Sequence, residues 1–230
     1  MRLYAFLAWA LYARPSFAGK HEEIHVQWSI CDRDAATVLR KLGEKVRDPY
    51  KNNPIVYFDT YPPTHAQQGV MFRKKVNKGE PFSLIKVRFN DKPEKAPGDR
   101  DCVWDRYGIN TFYTCGERYS LSGKGKASQI WSDDQVEFAE QYDDIDWDGL
   151  VPYGPYPDGK WKLKLLGHKG KLDDVVAGKL HLMEIEVPLR KDGHEAVFRK
   201  MTDYLVERGV VLCDPQAPKT LRLFHEMGYL

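Results

Sequence analysis

The chain has 230 residues, 42% of them hydrophobic, with 35 Lys and Arg against 33 Asp and Glu and a formal net charge of +2. That length and apolar content suffice for one sizeable core. So even a charge balance gives no general affinity for nucleic acid or for an anionic membrane surface, and any cationic site has to be local.

Residues 1–18 read as a secretory signal peptide. Arg2 supplies a basic start, Leu3 to Ala13 an apolar run without charge, and Ser16-Phe17-Ala18 a small-x-small cleavage site. The apolar run is too short to span a bilayer. Cleavage removes Arg2 and Arg14 and no acid, which leaves a formal charge of zero on a mature domain, 19–230. Export places Cys31, Cys102, Cys115 and Cys213 in an oxidising compartment. Cys102 with Cys115 would staple the arms of a loop, and Cys31 with Cys213 would tie the start of the domain to its last segment.

Taken in order, Glu23 to Ile30 alternates as a strand, with Ile24, Val26 and Trp28 on one side and Glu23, His25 and Gln27 on the other. Asp34 is placed as the N-cap of a helix reaching about Glu44. Ile55 to Asp59, Val70 to Val76 and Phe82 to Phe89 follow as strands, the last two joined by a turn over 77–81. Asn90 to Arg106 carries charges, prolines and a glycine and is expected to be an exposed loop. It opens a stretch, 90–159, that the pattern places poorly. Within it Tyr107 to Leu121 is strand-like, Gln135 to Tyr142 a short helix, Asp143 to Asp148 an acidic surface turn, and Pro152 to Pro157 a turn-rich link. Lys160 to Leu166 and Lys179 to Pro188 are strands, with Leu172-Asp173-Asp174 between them. Helices over His194 to Arg208 and Pro218 to Met227 close the chain, and the class is α+β.

Side chains two apart on a strand share a face. Arg73 and Lys75, Lys86 and Arg88, and Lys162 and Lys164 are therefore three basic pairs, and Glu184 and Glu186 are an acidic one. Each pair fits the wet face of an antiparallel sheet. Turned inward on one curved sheet, they instead line a cationic cavity suited to a small polyanion.

The strand Ile55-Val56-Tyr57-Phe58-Asp59-Thr60, then Phe72-Arg73-Lys74-Lys75, Leu84-Ile85-Lys86-Val87-Arg88 and Met183-Glu184-Ile185-Glu186, resemble in sequence order the strand motifs of the CYTH superfamily, which includes adenylyl cyclases and triphosphatases. The resemblance covers most of the chain from Glu23 onward and implies an antiparallel β-barrel or tunnel with flanking helices. It also implies a divalent metal, Mg²⁺ or Mn²⁺, held by Glu23, Glu184 and Glu186. Phosphate oxygens would fall to Arg73, Lys75, Lys86, Arg88, Lys162 and Lys164. The family opens its domain with E-x-E-x-K, and this chain has Glu23-Ile24-His25-Val26-Gln27, so one carboxylate is His25 and the lysine is Gln27. His25 is a candidate base or borderline metal ligand beside Glu184 and Glu186.

Three readings follow: a secreted, metal-dependent phosphohydrolase acting on a triphosphate or other polyphosphorylated compound; a secreted binding protein that keeps the cationic tunnel without turnover; and a different chemistry in the same barrel, with Asp143 to Tyr156 as a lid or substrate wall. No dinucleotide-binding or P-loop glycine pattern, serine-hydrolase elbow or zinc-protease helix is present. The expected partner is a small anion rather than nucleic acid or membrane.

Overall fold

Strand β1 (Glu23–Ile30) sets Ile24, Val26, Trp28 and Ile30 on one face, all buried, and Glu23, His25 and Gln27 on the other. The computed structural model describes residues 22–94, 100–122 and 129–230, so the expected signal peptide lies outside the described residues. The other strands are β2 (Lys51–Asp59), β3 (Val70–Asn77), β4 (Glu80–Phe89), β5 (Asp101–Tyr107), β6 (Asn110–Ser120), β7 (Val151–Leu165), β8 (His168–Ala177) and β9 (Leu180–Arg190), with alternation clearest in β2 and in the second half of β7. These strands form a closed barrel in the order β1-β5-β6-β4-β3-β2-β7-β8-β9. The seam between β1 and β9 is antiparallel, as are the other pairings, except that β1 and β5 run parallel. The expected antiparallel barrel is thus a mixed one.

The outward apolar face is covered by helices. Helix α1 (Ala35–Lys41) starts where the Asp34 carboxylate accepts the Thr37 N–H at 2.7 Å. It ends three residues before the expected Glu44, because Gly43 adopts a φ of 75°. Together with α3 (His194–Glu207) it buries Val38, Leu39, Phe198 and Met201 against Val26, Trp28, Leu163 and Ile185. Trp28 and Phe198 stack with centroids 5.1 Å apart. Helix α2 (Asp133–Glu140) opens with a capping box between Ser132 and Gln135 and lays Phe138 and Ala139 over Phe72, Ile85 and Val87.

Helix α4 (Lys219–Glu226) does something different. Its Leu223 and Phe224 pack against Ile55, Tyr57, Val175 and Leu182, and Ile55, Tyr57 and Val175 face the barrel interior. The helix therefore enters one end of the barrel and fills it. Cys31–Cys213 fastens β1 to the segment leading into α4, and Cys102–Cys115 bridges β5 and β6 at directly opposed positions.

Three stretches expected as connections are strands. Asp101 to Arg106 belongs to β5, where Val103 and Trp104 pair with Thr114 and Tyr113; Asp105 lines the cavity while Cys102 and Trp104 pack in the cluster outside it, as suits a barrel wall. Pro152 to Pro157 belongs to β7. Its prolines fit because the register against β2 shifts between Ile55 and Tyr57, and Pro157 faces Pro54, so neither needs a ladder donor. Leu172 to Asp174 lies within β8, whose partners on both sides absorb the two aspartates. The acidic run 143–148 is also less wet than expected, since Ile145 is buried and Asp143 meets the buried His65 Nδ1 at 2.6 Å.

Candidate functional site

The inner faces of the barrel enclose a cavity of about 180 Å³ lined by seven Lys or Arg and five Asp or Glu side chains. One acidic wall comes from neighbouring strands. Asp173 on β8 pairs with Glu184 on β9 in register, and Lys171 pairs with Glu186. The Lys171 ammonium donates to Glu186 Oε1 at 2.8 Å. Burial opposes ionisation of Glu186, but Lys171, His25 and Lys86 together hold its carboxyl below the usual range. Asp173 is bonded by the ammonium groups of Lys160 and Lys219. Despite burial, these two cations and Lys75 keep Asp173 ionised well below the ordinary carboxylate range.

The opposite wall is cationic. On β3, Arg73 donates to Thr220 Oγ1 at 2.6 Å, and its guanidinium lies 5.4 Å from the Tyr57 ring centre. Lys75 meets Asp158 at 2.9 Å, and burial pushes its ammonium down to about 8. On β4, burial also lowers Lys86, while Arg88 sits 5.7 Å and 5.3 Å from the ring centres of Tyr107 and Phe112. Among the described residues Arg73, Lys86 and Arg88 have no carboxylate within ion-pair distance, and the buried Nε atoms of Arg73 and Arg88 have no hydrogen-bond partner. Buried cationic donors without partners are costly unless something anionic meets them.

Gln27, at the family's lysine position, donates to Asp105 at 2.7 Å and accepts from Tyr107 at 2.8 Å. It is a strut within the wall. His25 lines the cavity with Nδ1 3.6 Å from Glu186 and Nε2 2.7 Å from Glu23. Arg73, Lys75, Lys86, Arg88, His25, Glu184 and Glu186 are thus brought together around one space. Glu23 is not; its side chain is 60% exposed and lies outside the cavity lining. Lys162 and Lys164 share the inward face of β7 but are exposed beyond the lining, where Lys162 covers the Tyr50 ring at 5.3 Å. The segment expected as a lid packs elsewhere: Ile145 and Trp147 join the aromatic cluster of Phe72 and Trp131 outside the barrel.

Several lining residues were not picked out from sequence. Asp105 with Tyr107, Asp158 with Lys160, and Lys171 with Asp173 each carry the two-residue spacing already seen in the other pairs. Lys219 carries no such signal, since it reaches the cavity from the first turn of a helix.

A hard divalent ion needs several oxygens turned to one point. Here Glu184 Oε1 accepts the Lys219 N–H at 2.9 Å, its Oε2 faces the Lys219 ammonium at 3.3 Å, Glu186 is held by Lys171, and Asp173 by two lysines. Among the described residues no group of three or more His, Cys, Asp or Glu side chains could hold a metal ion. The donor set does not fit the divalent ion that the resemblance implies.

The fold and the cavity define a closed, tunnel-type β-barrel with a charged interior, structurally similar to the CYTH-type adenylyl cyclase and triphosphatase proteins. Among solved structures, one from Bacillus halodurans, named as a candidate adenylate cyclase, matches with a TM-score of 0.60 and 14% identity over 89% of this chain and 98% of that one. Another, from Hippeastrum, is described as an adenylyl cyclase candidate with a dominant triphosphatase activity; its TM-score is 0.56 at 13% identity, covering 90% of this chain and 96% of that one. No protein-family model and no curated protein sequence matches the chain.

Proposed function

We propose that this chain is an exported protein that binds a small polyphosphorylated anion in its blind tunnel. The observation that carries the reading is the set of three half-buried cations on one inner wall, Arg73, Lys86 and Arg88, which among the described residues have no carboxylate partner and include two buried Nε donors without a hydrogen-bond partner. Phosphoryl oxygens satisfy such donors with charge-assisted hydrogen bonds. The lysines on the acidic wall already neutralise the carboxylates, so binding is proposed to need no divalent metal. Two disulfides support export.

A second reading, hydrolysis of the bound anion, is favoured by the triphosphatase activity described for the Hippeastrum protein. One experiment addresses both. Tripolyphosphate is added to the mature protein with EDTA, Mg²⁺ or Mn²⁺, and thermal stability and phosphate release are followed together. Stabilisation in EDTA without release supports the binding reading; release that is lost in Glu186→Gln supports hydrolysis. Neither signal under any condition rejects the anion site.

A further inference from the structure

Directly opposed residues on neighbouring strands share a face, and like charges placed there destabilise a sheet. Three such pairs stand on the inward face of β2, β7 and β8: Lys51 with Lys160, Lys162 with Lys171, and Lys164 with Lys169. Lys160 and Lys171 line the cavity, whereas Lys162, Lys164 and Lys169 are exposed. Among the described residues the last three have no carboxylate within ion-pair distance. They lie away from the end that α4 fills, because Val175 and Ala177 on β8 pack toward Leu223 and Phe224 while Lys169 lies at the far end of the same strand. The row of lysines therefore runs out of the open mouth, in side-chain steps of about 7 Å. Leu163 and Leu165, on the reverse face, are buried in the core and fix its direction.

We infer that the β7–β8 hairpin is an outer subsite that continues the tunnel, and that the ligand is a linear inorganic polyphosphate longer than the cavity holds, with one end inside and the rest along Lys162, Lys164 and Lys169. The inference rests on the anion-tunnel reading above. It selects a phosphate chain over a single-stranded nucleic acid because base binding relies on open aromatic faces. Here Tyr57 and Tyr107 are buried inside the barrel beside Arg73 and Arg88, and Tyr50, 48% exposed with the Lys162 ammonium 5.3 Å from its ring centre, is a single ring beside a row of lysines rather than a stacking platform.

The test compares Kd for tripolyphosphate and for long-chain polyphosphate in wild type and in the triple variant Lys162→Gln, Lys164→Gln, Lys169→Gln, whose exposed positions leave the core untouched. Wild type is expected to prefer the long chain about tenfold, the combined effect of a few exposed ion pairs. In the triple variant the preference disappears and the slope of log Kd against log salt for the long chain falls by about 2. A wild type that binds tripolyphosphate without preferring length, or a preference that survives in the variant, overturns the outer subsite and leaves the tunnel reading intact. Failure to bind tripolyphosphate while the long chain binds rejects the tunnel reading itself. A single-stranded oligonucleotide bound as tightly as polyphosphate, and weakened equally in the variant, overturns the choice of ligand.

Discussion

Glu184 caps the helix that closes its own tunnel: one carboxylate oxygen accepts the Lys219 N–H at 2.9 Å and the other faces the Lys219 ammonium at 3.3 Å. A residue that the sequence motifs mark as a metal ligand is thereby a structural anchor for α4. The ammonium gains in turn, since Asp173, Glu184 and Asp158 outweigh burial and raise its pKa above that of an ordinary lysine.

Lys219→Met should destabilise the fold by about 3 kcal/mol, because it leaves Asp173 and Glu184 buried with fewer countercharges. Urea unfolding measures this directly. A loss under about 1 kcal/mol would show that the plug is held by Leu223 and Phe224 alone.

Lys86→Met should have the opposite sign. Burial lowers the pKa of this ammonium, and among the described residues no carboxylate lies within ion-pair distance of it, so an apolar side chain of similar length removes a desolvation cost of about 1 kcal/mol or more. Stability should rise while affinity for tripolyphosphate falls at least about tenfold. A variant that binds as wild type would place the anion elsewhere.

Lys75 titrates near pH 8 in the folded chain and near 10.5 when unfolded, with burial as the leading cause. Between those values the unfolded chain binds more protons, so this residue makes stability rise with pH from about 8 to 10.5 and contributes no slope below that window. Binding runs the other way, since the tunnel loses a positive charge as pH passes 8. Tripolyphosphate affinity measured from pH 7 to 9 should decline in wild type and stay flatter in Lys75→Arg, whose guanidinium remains protonated. Parallel profiles would exclude Lys75 from anion binding.

The disulfides should be unequal. Cys31 and Cys213 are 182 residues apart and Cys102 and Cys115 only 13, so loop-closure entropy assigns them about 5 and about 3 kcal/mol. Double Cys→Ser variants of each pair, unfolded in denaturant, should rank in that order. Non-reducing peptide maps should recover the same pairings.

The strand periodicity made much of the fold legible. Ile24-x-Val26-x-Trp28 and Glu184-x-Glu186 sort side chains onto two faces without any knowledge of the partner strand, and closure of the barrel then decides that the charged face turns inward. Both cysteine pairings were also readable, one from a short loop and one from the two ends of the domain. Other parts were hidden for physical reasons. Pro152, Pro155 and Pro157 look like turn residues, and only a bulge against β2 makes them compatible with a strand. Lys162 and Lys164 have the right parity, but alternation fixes the face and not the depth along the barrel, so it could not tell that they pass the rim. Lys219 depends on a helix docking into the barrel end, a long-range event with no local signature.

Because α4 stops one end, whatever enters past Lys169 has to back out the same way. Two occupants could not pass each other, and a bound ligand would keep the next one waiting outside. On the proposed reading the barrel is therefore last in, first out, with entry and exit sharing the lysine-lined rim.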